Sequence, residues 1–383
     1  MTATVVPSGT PTSTSAQNLS GERLQFLDAL RGVAILLVLV HHAYVRWTGI
    51  VPYGGERFNN VPPFAPGAIG VELFFMISGF VIFMSLEKSP GFGVFLYRRW
   101  LRLFPAMLFC SLLIFATASF FPWRPNGIPS VRDLISGLIF VDPLWITLLF
   151  QSPQGVLEGV FWSLFVEVKF YLLVAFVYFF LGRHRAIPAL LGAFAISVAV
   201  KASAKGLLPF HISPEVERLI SGVTSFEFFG WFAAGALFYR YFHERKPYLF
   251  ILAVFVSLLA AVAFEGFKLE PKIAALSVAA VFAATVYSNF LQRQFANRAL
   301  LFFGAISYPL YLVHDNMMVS MIVSLHGMAS WIPYFALPIL PIMIVVGIAW
   351  LVATKVEARL RNRIRSGLRL SRNWLVARWS VAR

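Results

Sequence analysis

The chain is poor in charge and almost without cysteine. Only 13% of its 383 residues are charged, with 17 Asp and Glu against 32 Lys and Arg, about half the charged share of an ordinary soluble domain. The single cysteine, Cys110, excludes an intrachain disulfide, and its apolar surroundings point to packing. No G-x-S-x-G elbow occurs, so a hydrolase-type serine nucleophile is not expected. No spacing of His, Cys, Asp and Glu resembles a ligand motif, so no metal is expected. Residues 1–20 form a Ser/Thr/Pro tract with neither a charged n-region nor an apolar h-region. A secretory leader is therefore not expected there, and residues 1–22 read as a disordered tail. The absence of an internal repeat of helix pattern weighs against a secondary transporter.

What is present is hydrophobic: 59% of the chain, with 40 Phe and 10 Trp, a composition that a bilayer accommodates and water does not. Apolar runs of about 20 residues fall near 26–47, 68–87, 100–121, 159–181, 187–206, 219–241, 248–266, 272–290, 301–324 and 331–354. The expected fold is all-α, a polytopic transmembrane bundle of about ten spans over residues 23–357. The stretch 131–150 is also apolar, but Asp142-Pro143 splits it, so it reads as interfacial or re-entrant, with an eleventh span as the alternative.

A net charge of +15 would suggest nucleic acid in a soluble protein. Here the distribution decides otherwise: with the N-terminus inside, 22 Lys and Arg fall in inner segments and nine in outer loops. The positive-inside rule then puts both termini in the cytoplasm, with no nucleic-acid partner. Residues 358–383 read as a basic amphipathic cytoplasmic tail that meets anionic membrane lipids.

Ionisable side chains inside spans are costly and point to function. At 1.5 Å per residue, His42, Glu72, Ser163, Glu167 and His314 fall in one layer, about 18 to 24 Å from the inner face. Arg31 and His42 stand eleven residues apart, close to three turns, and so share a face of the first helix with about 16 Å between them. Arg99 and Arg102 form an i, i+3 pair, joined by Arg98, at the inner start of the third helix; such guanidinium forks suit phosphate, while topology anchoring is the simpler reading of their position.

These segments resemble the acyltransferase-3 family of bacterial membrane proteins that O-acylate sugars and related acceptors. The resemblance rests on LDALRGVAILLVLVHHAY with Arg31 and His42, and on GVELFFMISGF with Gly70, Glu72, Ser78, Gly79 and Phe80. It rests also on YRRWLRLFP with Arg99 and Arg102, on WSLFVEVKFYL, and on ISYPLYLVH. The resemblance implies acetyl-CoA as a cytoplasmic donor substrate, a hydroxyl on an extracytoplasmic or lipid-linked glycan as acceptor, and a place in the bacterial inner membrane. It implies Arg31, Arg99 and Arg102 at the anionic end of CoA, His42 as general base and Glu72 as its orienting carboxylate. Ser163, Glu167, Tyr311 and His314 would bind the acceptor or the oxyanion. The chain departs from the family's Glu-Glu-Gln-Phe-Tyr pattern with Glu167, Val168 and Lys169, which puts the acceptor pocket in question. The appended extracytoplasmic hydrolase-like domain of some members is not expected. The rival reading is a transporter of a glycan or lipid precursor, which would leave acetyl-CoA intact.

Overall fold

The computed structural model describes residues 24–61, 64–264 and 269–367. Its elements are helical: α1 (Gln25–Tyr44), α2 (Gly70–Glu87), α3 (Phe92–Thr117), α4 (Val131–Ile139), α5 (Pro143–Phe150), α6 (Trp162–Phe176), α7 (Ala186–Ala204) and α8 (Pro214–Thr224). They continue with α9 (Phe229–Glu244), α10 (Pro247–Phe264), α11 (Leu269–Tyr287), α12 (Asn289–Phe295), α13 (Arg298–Val313), α14 (Asn316–Met328) and α15 (Ile339–Leu351). The last helix runs on through a wider turn to Gly367. The tail at 1–22 and residues 368–383 of the C-terminal tail lie outside the described residues.

The chain is an integral membrane protein with several spans. Among the described residues six helices are long and apolar enough to cross a bilayer, or up to eight if each of two bent pairs is one span. Three shorter apolar helices, Pro247–Ala263, Arg298–Val313 and Asn316–Met328, accompany them. Two of the ten expected spans are thus not continuous helices. The run 219–241 breaks at Ser225, whose φ of 55° ends α8, and the run 301–324 breaks at His314-Asp315, between α13 and α14. In a membrane such breaks persist only where protein satisfies the freed backbone groups. At the first, Lys169 Nζ donates to Gly222 O at 2.8 Å; at the second, the Asn316 amide donates to Glu158 Oε2 at 3.1 Å.

The stretch 131–150 is a helix pair bent by 111°. Phe140 takes a left-handed φ of 56°, Asp142 caps α5 through a 2.9 Å bond from the Leu144 amide, and Pro143 begins the new helix where its missing N–H costs nothing. It does not cross as one straight helix.

Helix association in lipid depends on close packing more than on hydrophobic burial. Two reciprocal glycine crossings provide it. A Cβ on Gly32 would meet Leu300 O at 2.2 Å and one on Gly304 would meet Asp28 O at 1.9 Å, so α1 and α13 lie backbone to backbone. Gly79 and Gly235 do the same for α2 and α9, at 2.1 Å from Phe232 O and 2.0 Å from Met76 O. Around that crossing α6 adds Phe170, stacked 4.1 Å from Phe232, and Phe75 of α2 lies 4.7 Å from the same ring. This aromatic core accounts for part of the forty phenylalanines and holds α2 against one wall of the cavity described next.

Candidate active site

A cavity of about 660 Å³ runs between α1, α2, α3, α6, α13 and the extension of α15. Its lining on α2 extends from Val71 to Lys88, about 25 Å along the helix, so it is elongated along the bundle. At one end stand Arg31, Arg99, Arg102, Lys88 and Arg361; toward the other stand Phe74, Ser163 and Tyr311. Six of the nine residues singled out by sequence thus line one space: Arg31, Arg99, Arg102, Ser163, Glu167 and Tyr311.

The basic end is not uniformly free. Arg31 is paired with Asp28 one turn below at 2.7 Å, so its charge is half-compensated before any ligand arrives. Arg99 donates to Ser85 Oγ at 2.7 Å, while its buried Nε has no hydrogen-bond partner among the described residues. Arg98 does not join them: its guanidinium donates to Lys88 O at 2.9 Å, capping the end of α2. The i, i+3 spacing explains this, because Arg98 is turned about 100° from Arg99. Sequence reasoning missed Lys88 and Arg361; both were read only as topology charges, and Arg361 is also bonded to Glu357.

Glu167 lies deeper toward the basic end than the acceptor layer expected for it. Its Oε1 accepts from Ser78 Oγ at 2.6 Å and from Tyr171 OH at 2.5 Å, joining α2 to α6. Ser163, one turn earlier, shares its hydroxyl hydrogen bond with Tyr311 at 2.7 Å, and Tyr311 OH also reaches Val160 O at 2.9 Å. The four residues that part Ser163 from Glu167 put about 6 Å between them along the axis, enough to divide one helical face between two environments.

Beyond Tyr311 comes a pair of imidazoles. The His314 ring lies 5.5 Å from Tyr311 and 4.7 Å from His42, meeting the latter edge to face. His42 Nδ1 lies 2.9 Å from Val38 O, and His314 Nδ1 lies 3.0 Å from Tyr311 O. A carbonyl oxygen only accepts, so both Nδ1 atoms carry a proton, and in the neutral ring the lone pair is on Nε2. His314 is fully buried and its Nε2 has no partner among the described residues. His41 faces elsewhere, with Nδ1 3.1 Å from Phe64 O. Glu72 is buried; the tautomer of His42 is set by its own helix.

Two buried polar clusters surround this space. Lys169 is tied to Asp142 Oδ2 at 2.7 Å, Gly222 O at 2.8 Å and Ser225 Oγ at 3.0 Å. Its ammonium has three donors and three acceptors, and none of its bonds enters the cavity lining, so the departure at Lys169 bears on the helix breaks. Beyond the His pair, Glu158 bonds Arg124 at 3.3 Å and the Asn316 amide group at 2.6 Å. Asp315 accepts from Trp47 Nε1 at 2.7 Å. These partners lie up to 268 residues apart, and no local spacing foretells them. Among the described residues no group of three or more His, Cys, Asp or Glu forms a metal-holding cluster.

Comparison with known proteins fits this arrangement. Nodulation protein 10 of Rhizobium leguminosarum bv. viciae is 28% identical over 243 residues, covering 60% of this chain and 63% of that protein. An O-acetyl transferase of Shigella phage Sf6 is 30% identical over 155 residues, covering 38% of this chain and 43% of its own length. The chain therefore spans less than two thirds of either relative. No solved structure matches it. The acyltransferase domain family matches residues 24–355, nearly the whole described region, and the chain belongs to this acyltransferase-3 family.

Proposed function

We propose that this protein is a membrane O-acyltransferase that moves an acetyl group from acetyl-CoA to a hydroxyl of a glycan. The observation that carries the reading is the elongated cavity, with arginines at one end and Ser163, Tyr311 and the His42–His314 pair beyond the other. A donor with an anionic head and a long thin arm fits that polarity. Its phosphates meet Arg31, Arg99 and Arg102, with Lys88 and Arg361 at the same end, and its thioester reaches Tyr311. Glu167 faces the arm of the donor, where a carboxylate accepts an amide N–H well.

His42 Nε2 takes the proton of the acceptor hydroxyl as its oxygen attacks the thioester carbon. The C–S bond then breaks, the thiolate leaves with the electron pair, and the proton held by His42 passes to it. The products are the acetyl ester and free CoA thiol. Glu72 supports the transient imidazolium by its charge, while one hydroxyl proton of the Ser163–Tyr311 pair turns from Val160 O to the developing oxyanion. His314 fixes the His42 ring and borders the acceptor. No metal enters this scheme. Both termini face the cytoplasm of a bacterial inner membrane, supported by the 22 to nine distribution of basic residues.

The test uses purified protein in lipid nanodiscs, acetyl-CoA and the envelope glycans of the producing cells. The expected result is thiol release matched by one acetyl increment per glycan in mass spectrometry. In sealed proteoliposomes, glycan transfer across the bilayer with acetyl-CoA intact would replace the reading with transport.

A further inference from the structure

A second space lies past the end of α1 at which His42 stands. It is an open recess of about 510 Å³ between the loop that follows α1 and the loop between α14 and α15, lined by Arg57, Phe58, Trp331, Pro333, Tyr334 and Phe335 among others. That volume is within the range ordinary for small-molecule sites. Its connection to the reaction centre is short. Tyr44, two residues beyond His42, donates its hydroxyl to Phe335 O at 2.7 Å and meets the Phe58 ring edge-on at 5.1 Å. The recess is therefore anchored to the helix that carries the proposed base.

Its chemistry is aromatic with one cation. Trp331 is 83% exposed and Phe335 65%, whereas Tyr334 is fixed, with the Arg57 guanidinium 4.8 Å over its ring and the Tyr53 ring 5.9 Å away. A belt aromatic at a membrane surface needs a flat lipid interface and no such support. Here the rings surround a concave space, and a guanidinium stands on one of them. Sugar rings match this pairing: the C–H face of a pyranose stacks on an aromatic plane, and its hydroxyl or carboxylate edge takes hydrogen bonds from a guanidinium fork.

We infer that this recess is an acceptor subsite, which holds a sugar ring of the glycan next to the one acetylated, through Trp331 and Tyr334 with Arg57 at its edge. The inference rests on the proposed transfer reaction for its purpose, and on the recess itself for its chemistry. A subsite of this kind contributes equally to ground and transition states, so its loss raises KM and leaves kcat in place.

The binding test needs no reaction. Envelope glycan from the producing cells, freed of lipid, is titrated in saturation-transfer NMR against the full-length protein in nanodiscs without acetyl-CoA, for wild type, Trp331→Ala, Trp331→Phe and Arg57→Ala. About tenfold weaker binding in Trp331→Ala and Arg57→Ala, with Trp331→Phe close to wild type, is the expected result; tenfold corresponds to about 1.4 kcal/mol. Wild type that fails to bind the glycan, or alanine variants that bind it like wild type, would overturn the inference. Lower thermal stability in the bilayer with unchanged glycan affinity would identify Trp331 as a membrane anchor and also overturn it. The transfer assay is run in parallel: a rise in KM with kcat and acetyl-CoA affinity retained is expected for the alanine variants. Glycan binding without any acetyl transfer by wild type would sink the transferase reading and leave the subsite standing.

Discussion

Lys169 and Arg99 are both cations of the helix bundle, the first buried and the second half-buried, and they are held in opposite ways. Lys169 is sealed, with its three donors on three acceptors. Arg99 lines the cavity, gives an N–H to Ser85, and among the described residues has no partner for its Nε. The difference refines the rule that a charge inside a membrane marks function. Burial alone does not separate a structural tie from a ligand site; open donors turned toward an empty space do. By that criterion Arg99 and Arg102, which line the cavity, and the proposed base His42, which lies beyond its lining, are the residues to test, whereas Lys169 is a tie between helices.

The criterion is most exposed at His42. His42→Ala should leave expression and acetyl-CoA affinity nearly intact while transfer falls about 10² to 10⁴ fold, the range for loss of a positioned base. His41→Ala should cost far less, since that ring is turned to Phe64 O, and Glu72→Gln should fall between them in the same purified assay. Wild-type turnover in His42→Ala would remove the base from the scheme, and a greater loss at His41 would put the reaction on the other face of α1.

Lys169→Met is the opposite case. Leaving the half-buried Asp142 without its cation should cost about 1 to 3 kcal/mol of stability, seen as a lower thermal midpoint in detergent, and adding Asp142→Asn should recover part of it. Acetyl-CoA affinity of the folded fraction should not change. Full stability combined with lost transfer would move Lys169 into the site.

Arg99→Ala or Arg102→Ala should weaken acetyl-CoA binding about tenfold, about 1.4 kcal/mol, with Lys restoring only part because it lacks the fork. Calorimetry with unchanged affinity would return the pair to topology anchors. Arg98→Ala gives the smallest effect: its guanidinium is engaged at the end of α2, and an exposed contact of this kind should shift stability by less than about 0.5 kcal/mol and acetyl-CoA affinity not at all.

The readable part of this protein was periodic. The 3.6-residue turn put Arg31 in line below His42, which packs against His314 beyond the cavity, and separated Arg98 from Arg99, while hydropathy located the helices because lipid imposes their length. What it concealed was set by single residues. A hydropathy window averages over Ser225 and over His314-Asp315, so two broken segments looked like continuous spans. The partners that make those breaks stable, Lys169 for one and Glu158 for the other, lie 53 and 158 residues away in sequence. The partners of Glu167 were hidden for a similar reason: Ser163 and Glu167 share a face, but one turn of rise puts the carboxylate in the company of Ser78 and Tyr171.

The two glycine crossings have a consequence for the cavity. Because α1 rests on α13, and α2 on α9 behind it, through backbone atoms, three of the helices that line the cavity are set in place by main chain, as a pipe is by its wall and not by its coating. One methyl group at Gly32 or Gly79 has to push a lining helix off its neighbour, which trimming a lining side chain does not.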